Sequence, residues 1–310
     1  MRAARIHAYG PPASIVLENL DAPKPGAGEV TVRVSAAGVG NWDALIRTGR
    51  SGLALSLPLT LGAEVAGVIE SVPATSAAHL IPGDAVYGST NSLFIGGYAQ
   101  YATCSADMLA RKPRQLSPVE AASLPVAAVT ARQMVIEYAR LAAGQTVVVH
   151  GAAGNVGALA VQIARSRGAR VIGTIHHEDD AKELRALGVT EVFRNEADFA
   201  RLARAADVVI DTVGGRSQTS LVPLVKPGGI LVSSVSPPDA ALAASAQIRT
   251  DYFIVRVTTA ALCEITKLVE AGAVQTRVGV QMPLDEVRLA HQMLDGVLRR
   301  PRGKIVLTLD

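Results

Sequence analysis

In this 310-residue chain, the residues whose spacing points most directly to chemistry are Gly151, Gly154 and Gly157. They stand in Val147-Val148-Val149-His150-Gly151-Ala152-Ala153-Gly154-Asn155-Val156-Gly157, ahead of apolar positions at Leu159, Ala160, Ile163 and Ala164. That is a strand pattern, a glycine turn and an amphipathic helix. A dinucleotide pyrophosphate needs backbone N–H groups at a helix N-terminus and no Cβ in its path. Gly154 permits that approach, and Gly157 lets helix and strand pack closely. The usual G-x-G-x-x-G is displaced, because its first position is Ala152. Glycines also make ordinary turns, so the signal rests on the full βαβ context; the alternative is an α/β scaffold that binds nothing.

A second group of residues bears on which dinucleotide fits. NAD-specific folds place an Asp or Glu about 20 residues after the turn, at the end of the second strand, where it accepts from the ribose 2′-hydroxyl and repels a 2′-phosphate. Here that strand reads Arg170-Val171-Ile172-Gly173-Thr174, followed by Ile175, His176 and His177, with no acid in the key place. Arg194, ending the third strand pattern, should lie beside the second, so that one guanidinium and two imidazoles converge on a phosphate dianion. Glu178-Asp179-Asp180 weigh the other way unless they serve the N-terminus of the next helix. The expected cofactor is NADPH.

Those residues need a scaffold, and the chain changes texture to supply one. Residues 1–115 read as short β-like runs separated by Gly, Pro and Asn. From 116 strand and helix patterns alternate: helix 117–142, strand 146–150, helix 155–167, strand 170–174, helix 179–187, strand 191–194, helix 197–205, strand 207–213, helix 216–225 and strand 228–235. Such alternation builds a doubly wound parallel sheet. After Tyr252-Phe253-Ile254-Val255-Arg256-Val257 come helix 259–271, a strand at 277–283, helix 284–295 and a last strand at 304–309.

Composition excludes other classes. With 49% apolar and 18% charged residues the chain is neither disordered nor extended, and two cysteines make no disulfide framework or four-cysteine zinc site. A net charge of +3 supports no nucleic-acid partner. The N-terminus lacks the apolar stretch of a signal peptide, and no apolar run reaches the roughly 18 residues of a membrane span; the expectation is a cytoplasmic protein with no membrane partner.

Several separated motifs in order carry a family resemblance across almost the whole chain. They are Leu61-Gly62-Ala63-Glu64-Val65-Ala66-Gly67-Val68, Gly83-Asp84-Ala85-Val86-Tyr87-Gly88, Gly96-Gly97-Tyr98-Ala99-Gln100-Tyr101, the glycine turn, Asp211-Thr212-Val213-Gly214-Gly215 and Gly303-Lys304-Ile305-Val306-Leu307. The chain resembles the medium-chain dehydrogenase/reductase superfamily, and within it the zinc-free, NADPH-dependent quinone oxidoreductase-like branch. The resemblance implies an α/β architecture. A β-rich GroES-like catalytic domain would take residues 1–115 and 260–310, and a Rossmann domain residues 116–259.

Zinc-dependent relatives place a metal-binding Cys and His where this chain has Gly40 and Ala63, neither of which can donate an electron pair. Without that Lewis acid, alcohol oxidation is difficult. Hydride addition to a quinone or to the C=C of an α,β-unsaturated carbonyl compound is easier, since the substrate's own carbonyl takes the charge. The family turn reads G-V-N-x-x-D, whereas this chain has Gly38-Val39-Gly40-Asn41-Trp42-Asp43. Asn41 reads equally as a wall of the reaction site and as a turn residue before helix 42–48. Trp42, Tyr98 and Tyr101 read first as packing residues, and His150 as a shaper of the turn.

Fold geometry plus the resemblance select further cofactor contacts at the carboxyl ends of the strands: Thr174 to His177, Val213 with Gly214, and Ser234 with Val235. On the resemblance, Phe253 and Val255 on the sixth strand contact the nicotinamide carboxamide, Thr130 lies beneath the nicotinamide, and Lys304 sets a cation near the pyrophosphate. The expected activity is an NADPH-dependent quinone or enone reductase. The alternatives are a non-catalytic NADP-binding protein and a stand-alone enoyl reductase of a biosynthetic pathway. The apolar run Tyr252–Val257 is expected to form the exposed edge strand of the Rossmann sheet and to pair a homodimer.

Overall fold

The structure is a computed structural model that describes residues 1–73, 79–194 and 196–309. Two units emerge: Met1–Val126 with Val257–Glu270 and Thr276–Asp310, and Ala127–Arg256 with Ala271–Gln275. The first unit runs beyond residue 115 because Ser117 and Glu120 cap each other and start the helix Pro118–Ala122. The Ala122 carbonyl lies 2.4 Å from where a Cβ on Gly38 would project, so that helix backbone rests directly on the strand Glu29–Val39. Residues 271–275 join the second unit through Gln275, whose N–H donates to Gln162 Oε1 at 2.8 Å.

In the second unit the strands Thr146–His150, Arg170–Thr174, Glu191–Phe193, Ala206–Asp211, Val225–Ser233 and Arg249–Tyr252, first to sixth along the chain, form a parallel sheet. Their spatial order is 3-2-1-4-5-6. Val147, Val148 and Val149 are all fully buried, as a strand covered on both faces requires. The order reverses between the first and fourth strands. At that switch the glycine turn meets Thr212 and Val213, which is where this architecture binds ligands.

Three expected elements are corrected. Helix 117–142 is three pieces, Pro118–Ala122, Pro125–Arg132 and a π-helical turn Gln133–Tyr138; Pro125 has no N–H and biases Leu124 away from helical dihedrals. Helix 216–225 stops at Leu221 and continues as a 3₁₀ turn over Val222–Leu224, with Pro223 inside it and Val225 already in the fifth strand. The sixth strand is Arg249–Tyr252, not Tyr252–Val257. It pairs with Ile230–Ser233, and the fifth strand ends there because Ser233 Oγ accepts the N–H groups of Val235 and Ser236 and turns the chain. Beyond one long bond from the Phe253 N–H to the Ser233 carbonyl (3.4 Å), the apolar run has no ladder to join. Phe253 and Val255 therefore follow the strand rather than lie on it.

The first unit holds a sheet in the order Val278–Pro283, Lys304–Thr308, Glu29–Val39, Glu64–Ser71, Ala85–Ser89 and Leu109–Arg111, with Tyr101–Ser105 also paired to Glu29–Val39. The helices Asn41–Arg47 and Val287–Leu294 are joined by the fully buried Arg47, which donates to His291 Nδ1 (3.1 Å) and to both oxygens of Asp295 (2.6 and 2.7 Å). No helix among the described residues is long and apolar enough to cross a membrane.

Candidate functional site

The glycine turn does its work through three different constraints. Gly151 has φ +76°, and a Cβ there would meet Thr212 Oγ1 and Val213 Cγ2 at 2.7 Å. A Cβ on Gly157 would fall 2.2 Å from the Gly151 carbonyl oxygen, so the helix Asn155–Ser166 packs on the turn backbone itself. At Gly154 the same atom would meet only the Gly151 oxygen, at 3.2 Å, and Gly154 is exposed. Ala152, where the usual pattern has glycine, is fully buried and fills the space over Gly173 of the second strand. No side chain caps the helix, so the first-turn N–H groups of Asn155, Val156 and Gly157 point out of an open end behind Gly154. Ala153 completes the turn. These residues fit a pyrophosphate.

A directional chain of hydrogen bonds ties this turn to its neighbours. The Gly151 N–H donates to Thr174 Oγ1 (3.2 Å), and Thr174 Oγ1 lies 2.7 Å from His150 Nδ1. His150 Nε2 lies 3.1 Å from Ser217 Oγ, which donates to the Gly214 carbonyl (3.0 Å). Because the one Ser217 hydroxyl proton goes to the Gly214 carbonyl, His150 Nε2 is the donor to Ser217 Oγ. Thr174 and His150 thus hold the turn from below. The loops after the fourth and fifth strands meet at Gly214, φ +69°, where a Cβ would strike Val235 Cγ1 at 2.7 Å. Val213 and Val235 are 50% and 48% exposed, two large apolar side chains left uncovered at the carboxyl edge of the sheet. Ser234 lies between Val235 and the end of the fifth strand.

At the ribose corner, His176 and His177 are exposed with ring centroids 4.7 Å apart. The Ile175 N–H donates to the Phe193 carbonyl (2.9 Å), which sets Arg194, the next and exposed residue, beside the turn carrying both histidines. Of the residues the resemblance assigns to the nicotinamide side, Thr130 is buried in the helix Pro125–Arg132, Phe253 is buried and stacks on Tyr138 (centroids 4.2 Å apart), and Val255 is half-buried.

In the first unit, Asn41 is exposed at the start of its helix and its Oδ1 accepts from Arg300 (2.9 Å). Trp42 packs edge-on against Phe94 (5.9 Å), and Tyr98 is fully buried. Asp43 is buried with Oδ2 accepting the Gly40 N–H (2.7 Å), and burial pushes its carboxyl up to about 6. Burial also pushes the Tyr98 phenol well above its usual value. Lys304, expected to set a cation near the pyrophosphate, gives its ammonium to buried Glu64, whose other oxygen accepts the Val126 N–H at the start of the helix Pro125–Arg132 (2.8 Å). The sequence pattern showed Glu64 and Lys304 only as separate motif positions, 240 residues apart. It likewise showed Asp211, a buried acid ending an apolar strand, only as a motif position.

Family comparisons agree with this layout. Residues 26–114 match the description "Alcohol dehydrogenase GroES-like domain" and residues 187–307 match "Zinc-binding dehydrogenase". The zinc in the second description does not fit the residues present. Gly40 and Ala63 carry no ligand atom, and the Lys304 ammonium lies 3.3 Å from where a Gly40 Cβ would project. Among the described residues no group of three or more His, Cys, Asp or Glu is arranged to hold a metal.

A quinone oxidoreductase of Pongo abelii is 31% identical over 100% of this chain and 98% of that protein, and a 2-haloacrylate reductase of a Burkholderia species is 29% identical over 98% of each. Among solved structures, an NAD-dependent alcohol dehydrogenase superposes with TM-score 0.90 at 29% identity over 100% of both chains. A mycobacterial protein complexed with NADPH gives 0.88 at 26% identity, also over 100% of both. The chain belongs to the medium-chain dehydrogenase/reductase superfamily, as an oxidoreductase of its quinone oxidoreductase-like branch.

Proposed function

We propose that the protein is a zinc-free, NADPH-dependent reductase of quinones or of the C=C of α,β-unsaturated carbonyl compounds. The observation that carries the reading is the open helix end behind Gly154, bordered by the exposed Val213 and Val235. That edge offers backbone N–H groups to a pyrophosphate and an apolar surface to a flat ring. NADPH, when bound, supplies the hydride. The chain's own part is to orient the cofactor and exclude water, with charge on the departing enolate or hydroquinone taken by the substrate's carbonyl oxygen. Asn41 is the polar side chain we assign to the substrate side, and Asn41→Ala should lower kcat more than it raises KM for NADPH.

Consumption of NADPH with a panel of quinones and enones, with enoyl thioesters alongside, tests the reading. Turnover with either class supports it. Tight NADPH binding without turnover in both classes favours the non-catalytic NADP-binding protein instead, and turnover confined to one enoyl thioester favours a pathway-bound enoyl reductase.

A homodimer remains part of the proposal, through the exposed edge at Arg249–Tyr252 with Ile254, 63% exposed, beside it. Light scattering that gave a monomer mass at micromolar concentration would remove it.

A further inference from the structure

Asp211 ends the fourth strand and is fully buried. Its carboxylate is satisfied by four neutral donors. Oδ1 accepts the N–H groups of Val213 (3.0 Å) and Gly214 (2.9 Å), and Oδ2 accepts Gln218 Nε2 (2.9 Å) and the Ser233 hydroxyl (3.0 Å). Ser233 Oγ in turn accepts the N–H groups of Val235 (3.2 Å) and Ser236 (3.4 Å), while Gln218 Nε2 also reaches the Ser236 carbonyl (3.0 Å). Burying a carboxylate is costly unless its lone pairs are filled, so this arrangement is stable only with both loops in place. Ser217 and His150 then link the Gly214 carbonyl to Thr174 and the glycine turn.

We propose that Asp211 is a positioning residue that holds the loops 213–215 and 233–236 as one preformed ledge for the dinucleotide. The proposal rests on the dinucleotide-binding reading. It assigns a role to a residue that touches no reacting atom. Preformed loops bind without a further loss of loop entropy, which is where the affinity would come from.

Chemistry makes the two halves of the ledge separable. In Asp211→Asn the remaining carbonyl oxygen can still accept from Val213 and Gly214, but the amide NH₂ faces the Gln218 NH₂ and the Ser233 hydroxyl, donor against donor. Flipping the Gln218 amide relieves one clash at the cost of its bond to Ser236. Ser233 cannot turn freely, because its oxygen already accepts two N–H groups. The loop after the fifth strand should loosen more than the loop after the fourth.

The test uses the full chain and three readouts: NADPH dissociation constant, kcat at saturating NADPH, and amide hydrogen exchange at Val213, Gly214, Val235 and Ser236. Asp211→Asn should raise the NADPH dissociation constant about tenfold, keep kcat within about threefold, and speed exchange at Val235 and Ser236 more than at Val213 and Gly214. Asp207→Asn is the control. Asp207 is the second residue of the same strand and binds Lys226 and the Thr146 N–H, so its loss should lower stability and leave NADPH affinity unchanged. A folded Asp211→Asn protein with an NADPH dissociation constant within about twofold of the parent, or with unchanged exchange at Val235 and Ser236, overturns the proposal. Should Asp211→Asn not fold, Ser233→Ala decides by the same criteria, since it removes the acceptor of the Val235 and Ser236 N–H groups and leaves the carboxylate three donors. A parent protein that binds no NADP(H) defeats the functional reading instead, and the exchange data alone then decide whether Asp211 holds the ledge.

Discussion

The ammonium of Lys304 lies 3.3 Å from the point to which a Cβ on Gly40 would project, and it is paired with Glu64. A thiolate at position 40 would point at a fixed lysine cation. The purified protein is therefore expected to carry no stoichiometric zinc and to keep its turnover in chelator. Elemental analysis giving about one zinc per chain, with activity lost on its removal, would refute this.

The same pair bears on stability. Lys304 and Glu64 are almost wholly buried, and removing one partner strands the other charge. Lys304→Met should cost about 3 to 5 kcal/mol in urea denaturation, while Lys304→Met with Glu64→Gln should cost clearly less than that single change. A single variant as stable as the parent would show that water already reaches Glu64.

Two glycines of the turn should separate fold from binding. Gly157→Ala drives a Cβ into the Gly151 carbonyl oxygen and Ala152 Cα, both backbone atoms that cannot swing aside, so it should lower both the Tm and the NADPH affinity. Gly154→Ala meets one contact at 3.2 Å with ordinary dihedrals (φ −72°). Its Tm should stay within about 3 °C of the parent while NADPH binding weakens about tenfold or more, since the methyl stands where the pyrophosphate must approach. Equal loss of stability in both variants would mean that the turn is merely structural.

How far the sequence reaches is visible in these same residues. The strands Thr146–His150 and Arg170–Thr174 and the helix Asn155–Ser166 were legible because apolar period and turn chemistry agree locally. The run Tyr252–Val257 has strand composition and is not a strand, because a ladder needs a partner and Ser233 ends that partner. The Lys304–Glu64 pair and the Asp211 hub were illegible for another reason: each depends on contacts set by tertiary packing, which no local pattern encodes.

Buried acid and base in the first unit pull stability in opposite directions with pH. Burial raises the Asp43 carboxyl to about 6 from 3.8, so the folded state holds a proton that the unfolded state has released between those values; the stabilisation is full below about 4 and is lost as pH rises to about 6. Burial, with Arg47 beside it, lowers His291 to about 3 from 6.5, so its contribution is present above 6.5 and lost as pH falls. Asp43→Asn keeps an acceptor for the Gly40 N–H and removes the first effect. Relative to the parent it should gain up to about 3 kcal/mol between pH 4 and 6, measured by denaturation across that range. A difference that does not rise with pH would mean that Asp43 is ionised in the fold throughout.

Arg194 decides the cofactor question most directly. It follows Phe193, whose carbonyl accepts the Ile175 N–H, and so it sits next to the turn that carries His176 and His177 at the end of the second strand. No acid occupies residues 174–177, and the nearest, Glu178, is exposed ahead of the helix Asp180–Ala186, where negative charge is favoured by the helix N-terminus. A 2′-phosphate at this corner would meet a guanidinium and two imidazoles rather than a carboxylate. Arg194→Ala should raise the KM for NADPH about tenfold, or about 1.4 kcal/mol for one charge-assisted contact, and leave the KM for NADH little changed. Equal kcat/KM for the two cofactors in the parent protein would remove the assignment, and an Arg194→Ala effect of the same size on NADH would move Arg194 from the phosphate to the general shape of the ribose corner.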